Sequence, residues 1–572
     1  MTNMVDAVGT TKYTYTVGDQ LLTEDGPFAS NNVTNTYLNR LRTALSLGQP
    51  TGVWTNGFGY DAARRLTNVI SQAGSFTNVY AAGVPGAAGF SSRLVQQLLV
   101  ANTSAITNNF DSVGRLMGTY WRTSRGTLTN KQEYAYNLAG QRTSETRMDA
   151  STVGYTYDGI GQLKVADSSV DAEDRGYTYG AAWNLNYRTN NGVLTSFTVN
   201  SLNELTTAPD GGYSYSPNGN LVQSGIDGDH NPSWEYTYDD ENRLVQLTQW
   251  GVPDGSEDII PVAYSDFVYD GLGRLRQRTD HTWIVGSGSW SEVGQTRYSY
   301  DGWRVIQERN SSNTPTVGYT RGNDLSGSLE GAGGMGGLLA RSSGYSGGNW
   351  STHNYYQADG NGNVTFMLNS SQSMVAKYRY DPYGNAISSS GTLASANTYR
   401  FSSKEIHPTS GLYYYGYRWY SPGLQRWTSR DPTDEDRGIN LYCFNYNSPA
   451  AYLDPSGDNP AAVVGGTIGT VVEPGGGTLL GTLVGGVISA IAGYCVAELI
   501  EETHEQWCAR KWEKARKDCA EELAKPYPSR RFTGGYKDIE NCARGHVPEE
   551  CGGNPVDWGD RPPKGPGGGK RW

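Results

Sequence analysis

Aspartate recurs in this 572-residue chain at one fixed place: just after an aromatic residue and just before a turn. Asp61, Asp111, Asp158, Asp239, Asp270 and Asp381 occupy that place, and Arg65, Arg115, Arg243 and Arg274 follow four residues after the first, second, fourth and fifth of them. Regularly spaced carboxylates could act as general acids and bases. Catalysis by carboxylates, however, needs one special pair whose surroundings push the two pKa values apart, not a copy in every repeat. The expectation is therefore that each aspartate caps its own turn by accepting backbone amides. The arginines are expected to stack on neighbouring tyrosines or to pair with the turn carboxylates.

A second set of chemistry-bearing residues lies near the C-terminus. Five of the six cysteines fall at or after residue 495. Cys508, Trp512, Ala515 and Cys519 follow helical spacing. In a continuous helix Cys508 and Cys519 would stand about 16 Å apart, too far to bridge each other. They could pair instead with a second segment, Cys508 with Cys551 and Cys519 with Cys542, leaving Cys495 over. Alternatively, His504 with Cys508 and Cys542 with His546 could form a Cys2His2 zinc site, although the cysteine spacing is not that of a known finger. Cysteine at this density suggests an oxidising, extracytoplasmic destination. His504 among Glu501, Glu502 and Glu505 reads as a solvated helix face.

The run GAGGMGG (331–337) resembles a phosphate loop only superficially, because it lacks the preceding strand and following helix of a βαβ unit. A flexible loop or a close backbone approach is expected there, and no cofactor is expected. Net charge is −11, so the basic footprint of a nucleic-acid binder is missing.

The elements that must position these residues follow from a repeat. An aromatic precedes a leucine by six residues in Tyr15/Leu21, Tyr60/Leu66, Phe110/Leu116, Tyr157/Leu163, Tyr179/Leu185, Tyr215/Leu221, Tyr238/Leu244 and Tyr269/Leu275. In YTYDGIGQL, Tyr155 and Tyr157 share one face of a strand, Asp158 opens the turn, Gly161 supplies a positive φ and Leu163 starts the return strand. Such β-hairpins, repeated, predict a long antiparallel sheet whose edges must be closed or protected. High Tyr (40) and Gly (74) with only 18% charged residues agree with a mainly β chain. The start, MTNMVDAVGTTKYTYTVGDQ, has no signal-peptide character, and a repeat is already under way at Tyr13. An N-terminally incomplete shell is therefore expected.

These units resemble the YD repeats of RHS-repeat proteins, teneurins and the C component of bacterial Tc toxins. GNDLSGSLEGAGGMGGLLA (322–340), YYQADGNGNVTFML (355–368) and KYRYDPYGNAI (377–387) strengthen the resemblance. The stretch from RFSSKEIHPTSGLYYYGYRWYSPGLQRWTSRDP through NLYCFNYNSPAAYLDPSG (400–457) resembles the RHS repeat-associated core domain along its length. The resemblance implies a spiral β-sheet shell, or cocoon, over 1–399. It further implies a plug over 400–457 and a variable C-terminal segment over 458–572 that is carried as cargo. It also implies aspartyl autoproteolysis, with Asp431 and Asp454 at the two aspartate positions and Arg430 at the arginine position. The chain departs from the family at Thr433-Asp434, where a DPxG-like motif is usual, and at Asp458, where leucine is usual. A non-cleaving plug, in which both aspartates cap turns, is the other expectation.

After Gly457 the composition changes. Residues 461–497 are apolar and glycine-rich, and 478–497 carry no charge over twenty residues. They could form a membrane-inserting helical hairpin or a buried lining. Residues 498–551 should be helical and cysteine-rich, and 552–572 a disordered tail. The expected function is a secreted or surface shell protein that encloses or presents a C-terminal effector. Its partners would be its own C-terminal segment, a delivery machine, an immunity protein or a membrane. The alternative is a non-enzymatic adhesion protein whose aromatic faces bind glycans.

Overall fold

Thr152–Tyr157 pairs antiparallel with Leu163–Ser168, the hairpin predicted for YTYDGIGQL. Asp158 closes it: one carboxylate oxygen accepts the Ile160 and Gln162 amides at 3.0 and 2.9 Å, and the other accepts the Gln162 side chain. Gly161 takes φ +90°, as the turn requires. The pairing slips between Thr156 and Tyr157, and a matching slip precedes Tyr15, Tyr60, Phe110, Tyr179, Tyr215, Tyr238 and Tyr269. Such a bulge re-aims the side chain that follows it.

The computed structural model describes residues 1–81, 93–229, 231–253, 258–433, 438–458, 461–464 and 467–468. The chain divides into two units, 1–481 and 482–572, and all described residues belong to the first.

The bulge gives the repeated tyrosine its task. Its hydroxyl donates to a backbone carbonyl of the preceding hairpin: Tyr80 to Leu66, Tyr136 to Leu116, Tyr179 to Leu163, Tyr269 to Leu244 and Tyr300 to Leu275, at 2.5–3.0 Å. The turn arginine then covers a tyrosine ring of a following strand. Arg65 lies over Tyr80, Arg115 over Tyr136, Arg243 over Tyr269 and Arg274 over Tyr300, 4.4–5.4 Å from the ring centres. Each of these arginines also pairs with its own turn aspartate. The recurrent aspartates are thus turn caps, and the arginines do both things expected of them.

Repetition of this link builds two meanders. Eighteen strands from Asn3–Asp6 to Val193–Ser196, and sixteen from Thr198–Val199 to Ala386–Ser390, pair each with the next, all antiparallel. This is a mainly β shell. Its two sheets meet through interior side chains: Trp54 on Trp350, Phe76 on Tyr355, Trp121 on Phe366 and Tyr177 on Tyr383, with ring centres 5.0–6.0 Å apart. Buried polar ties run alongside, such as Arg142 to Asn361 at 2.7 Å. Arg274 reaches Glu24 across the sheets at 2.6 Å.

The segment from 400 onward forms a small four-stranded sheet: Glu405–Ile406, Tyr413–Tyr414, Trp419–Ser421 and Arg426–Trp427. Simple alternation would bury one of its faces, but both are buried. Tyr413, Tyr415, Tyr420 and Trp427 pack with Phe401 and Phe444. On the other side Tyr414 and Trp419 meet Tyr269 and Phe267 of the second large sheet. Beyond Gly457 the structure differs from a helical hairpin at its start: Ala461–Val464 is a strand that pairs with Tyr452–Leu453 and with Thr467–Ile468. Valine and threonine favour such pleated pairing. Among the described residues no helix is long and apolar enough to cross a membrane. The rest of the apolar run, the expected helix with Cys508, Cys519, Cys542, Cys551, His504 and His546, and the tail lie outside the described residues.

The turn caps differ in burial, which gives a stability test. Asp239→Ala breaks a partly exposed pair and should cost about 0.2–1 kcal/mol. Asp270→Ala leaves Arg274 and Arg276 buried beside one carboxylate fewer and should cost about 3–5 kcal/mol. Urea denaturation midpoints of the two variants measure the difference.

Candidate functional site

Asp431 follows the last strand of the small sheet, and Asp454 follows Tyr452–Leu453. Each begins as a turn cap. Asp431 accepts the Thr433 amide at 2.9 Å and its hydroxyl at 2.6 Å. Asp454 is buried, and one of its oxygens accepts three successive amides, Ser456, Gly457 and Asp458, at 3.3, 2.7 and 3.1 Å. Gly457 has φ +86°, and a Cβ there would lie 3.1 Å from the Tyr415 side chain and 3.2 Å from the Arg418 amide, so glycine is needed on both counts. Residues 454–458 therefore turn away from Tyr452–Leu453, the strand that pairs with Ala461–Val464.

Arg418 joins the two aspartates. One guanidinium nitrogen, Nη2, is 2.7 Å from Asp431 and 3.6 Å from Asp454. Nη1 donates to the Leu441 carbonyl at 3.1 Å, and Nε donates to the Gly457 carbonyl. The guanidinium lies 4.3 Å from the ring centre of Trp427. Burial pulls its pKa below the ordinary arginine value, against the pull of Asp431, Asp454 and Asp458. A buried cation persists only with such partners.

The result is a contact on each side of one peptide bond. Arg418 sits on the carbonyl oxygen of Gly457, and Asp454 accepts the N–H of Asp458. A guanidinium can stabilise negative charge growing on that oxygen. A carboxyl group can deliver a proton to that nitrogen. The pair of carboxylates around one cation is the kind of setting in which two acids divide into proton donor and acceptor.

Of the residues singled out from the sequence, Asp431 and Asp454 come together. Arg430 turns elsewhere, 3.3 Å from Glu204 and 3.4 Å from the Tyr442 hydroxyl. Asp434 lies outside the described residues, and the carboxylate of Asp458 accepts the Ser456 hydroxyl. Arg418 was missed. The available signal for Arg418 was a cation inside YYYGYRWY, where a charge must find a buried partner. Among the described residues Cys443 is a free thiol, which burial pushes up to about 12, and no group of three or more His, Cys, Asp or Glu is placed to hold a metal.

The fold is that of a toxin-type β-shell. The crystal structure of TcdB2-TccC3 superposes with a TM-score of 0.52 at 19% identity, covering 80% of this chain and 27% of that one. The Photorhabdus luminescens Tc holotoxin pore gives the same TM-score and identity over 82% of this chain. No family model matches. The tRNA3(Ser)-specific nuclease WapA of Bacillus spizizenii is 27% identical over 329 residues, covering 56% of this chain and 12% of that protein. The double-stranded DNA deaminase toxin A of Burkholderia cenocepacia is 23% identical over 353 residues, 61% of this chain and 23% of the toxin. The toxin subunit YenC1 of Yersinia entomophaga is 39% identical over 90 residues, 15% of this chain and 9% of the subunit. The chain thus spans between 9% and 23% of the length of these curated relatives. Fold and relatives together support a toxin-related β-shell protein.

Arg418→Met removes the only side chain described as touching both carboxylates. Buried Asp454 and half-buried Asp431 would then carry their negative charges without that cation, a cost that grows as rising pH ionises carboxylates. The gap in melting temperature between wild type and R418M should therefore be wider at pH 8 than at pH 5, as read by thermal unfolding at the two pH values.

Proposed function

We propose that this chain is the self-processing end of a secreted or surface RHS-type toxin shell, and that its plug hydrolyses the bond between Gly457 and Asp458. The observation that carries this reading is the double contact on that bond: Arg418 on its carbonyl oxygen and Asp454 on its amide nitrogen. Asp431, held on the same guanidinium, takes a proton from water while the water oxygen adds to the Gly457 carbonyl carbon. The growing oxyanion stays on Arg418. Asp454, protonated on Oδ2 because Oδ1 accepts the amides, gives that proton to the Asp458 nitrogen as the C–N bond breaks. Gly457 leaves with a new carboxylate and Asp458 with a new amine.

The segment from Asp458 onward is then the cargo. Its first strand pairs with Tyr452–Leu453, so the cut piece stays docked until that pairing opens. The toxin relatives favour a role in delivery to a target cell, with a delivery machine as partner. A display role with glycan binding has one observation in its favour: Tyr264 stacked on His281 at 4.3 Å, with Trp290 against Tyr264 and Trp283 against Trp290.

Mass spectrometry of the denatured full chain separates the two readings. Wild type should give two pieces divided between Gly457 and Asp458. Asp454→Asn and Asp431→Asn should each give one intact chain, while Arg430→Ala should still be cut. An uncut wild-type chain contradicts self-processing and favours display.

A further inference from the structure

The glycine-rich run 331–337 has no role in the turn-cap pattern, yet it is one of the most constrained stretches of the fold. Buried Asp324 pins it: one carboxylate oxygen accepts the Ala332 and Gly334 amides at 2.7 and 3.1 Å. The Gly336 amide donates to the Ser403 hydroxyl at 3.0 Å, and that hydroxyl donates to the Gly362 carbonyl at 2.6 Å. The loop is thereby fixed to the chain just before Lys404. Gly333 has φ +58°, and a Cβ placed on it would lie 2.0 Å from the Pro455 carbonyl oxygen. No other residue type allows that approach without moving Pro455.

Lys404 closes the contact. Its buried ammonium donates to the Gly333 carbonyl at 3.2 Å and to the Pro455 carbonyl. Its Nζ lies 5.3 Å from the ring centre of Tyr415. From the other side, the Tyr417 amide donates to the Ser456 carbonyl at 2.9 Å. A cavity of about 330 Å³ opens beside this segment, bordered by Lys404, Ser456 and Asp458.

We infer that Gly333 and Lys404 are positioning residues that clamp the Pro455 carbonyl and so hold the Gly457–Asp458 bond against Asp431, Asp454 and Arg418. This rests on the self-processing reading for its consequence, but the clamp itself is a matter of geometry. Pro455 and Gly457 are two residues apart, and a displacement of about 1 Å at a reacting bond is enough to slow a reaction about 10²-fold. The clamp is charge-assisted, and burial lowers the Lys404 pKa to about 8. Its ammonium is therefore lost as pH rises through that value, whereas an arginine there would stay charged.

Two readouts on the full chain test the clamp. The first is the rate of processing. Lys404→Met should slow it about 10²-fold. Lys404→Arg should restore most of the rate and move the alkaline fall-off of the wild type above pH 8. Gly333→Ala should be slow at every pH. The second readout is amide hydrogen exchange across 454–458 in a chain made uncuttable by Asp431→Asn. Adding Lys404→Met should speed exchange at least about tenfold, and adding Lys404→Arg should not. If wild type is never cut, the self-processing reading fails, and exchange alone still decides the clamp. Unchanged exchange in the Lys404→Met chain overturns the inference, even where processing slows, because Lys404 would then act other than by position.

Discussion

The whole fold depends on a tyrosine hydroxyl reaching back to a carbonyl of the hairpin before it. A hairpin of two short strands is marginal alone, and a meander of them gains little from its turns. The Tyr-to-carbonyl bond, roofed by a turn arginine that is itself held by the turn aspartate, locks each hairpin to its neighbour. One residue slip before each turn makes the geometry possible, because without it the tyrosine would keep ordinary strand alternation. The link is local and repeatable, so the sheet can lengthen without a new solution at each step. It also commits Asp61, Asp111, Asp239 and Asp270, with their arginines, to structure and not to chemistry.

The departures from that rule mark the site. In the repeats, a carboxylate finds its arginine four residues later in the same turn. Around the small four-stranded sheet, Arg418 is shared between two aspartates that are not its turn partners, and its third nitrogen lies on the Gly457 carbonyl. Asp454 spends its capping capacity on three amides in a row, where the repeat aspartates take two. The same device that caps a turn thus becomes a cradle for one peptide bond once the turn is buried and an extra cation is supplied. Burial matters as much as identity: in a water-poor pocket a carboxylate–guanidinium contact is stronger and more directional than on the surface.

Much of this was legible in the sequence, for physical reasons. The six-residue interval from Tyr157 to Leu163 encodes strand, turn and return strand, so the hairpins and their sheet could be read directly. Asp158 as a cap and Arg243 on a tyrosine ring follow from short-range chemistry. Arg418 was hidden because its partners stand 13 and 36 positions away, and local spacing holds no trace of such contacts. Arg430 sits next to Asp431 in sequence, yet it points to Glu204, far along the chain. The two-faced burial of the small sheet escaped for a similar reason: alternation describes one sheet, not a sheet pressed between a core and a second sheet. Ala461–Val464 reads as helix or strand on apolarity alone, and its pairing with Tyr452–Leu453 decides it.

Self-processing by water at the Gly457–Asp458 bond leaves an oxygen label in the chain. The most direct measurement is to fold the full chain in heavy-oxygen water and examine the pieces by mass spectrometry. Self-processing yields an N-terminal piece ending at Gly457 with one heavy oxygen in its new carboxylate, and a second piece beginning at Asp458. A single intact chain, or a cut elsewhere, would contradict it.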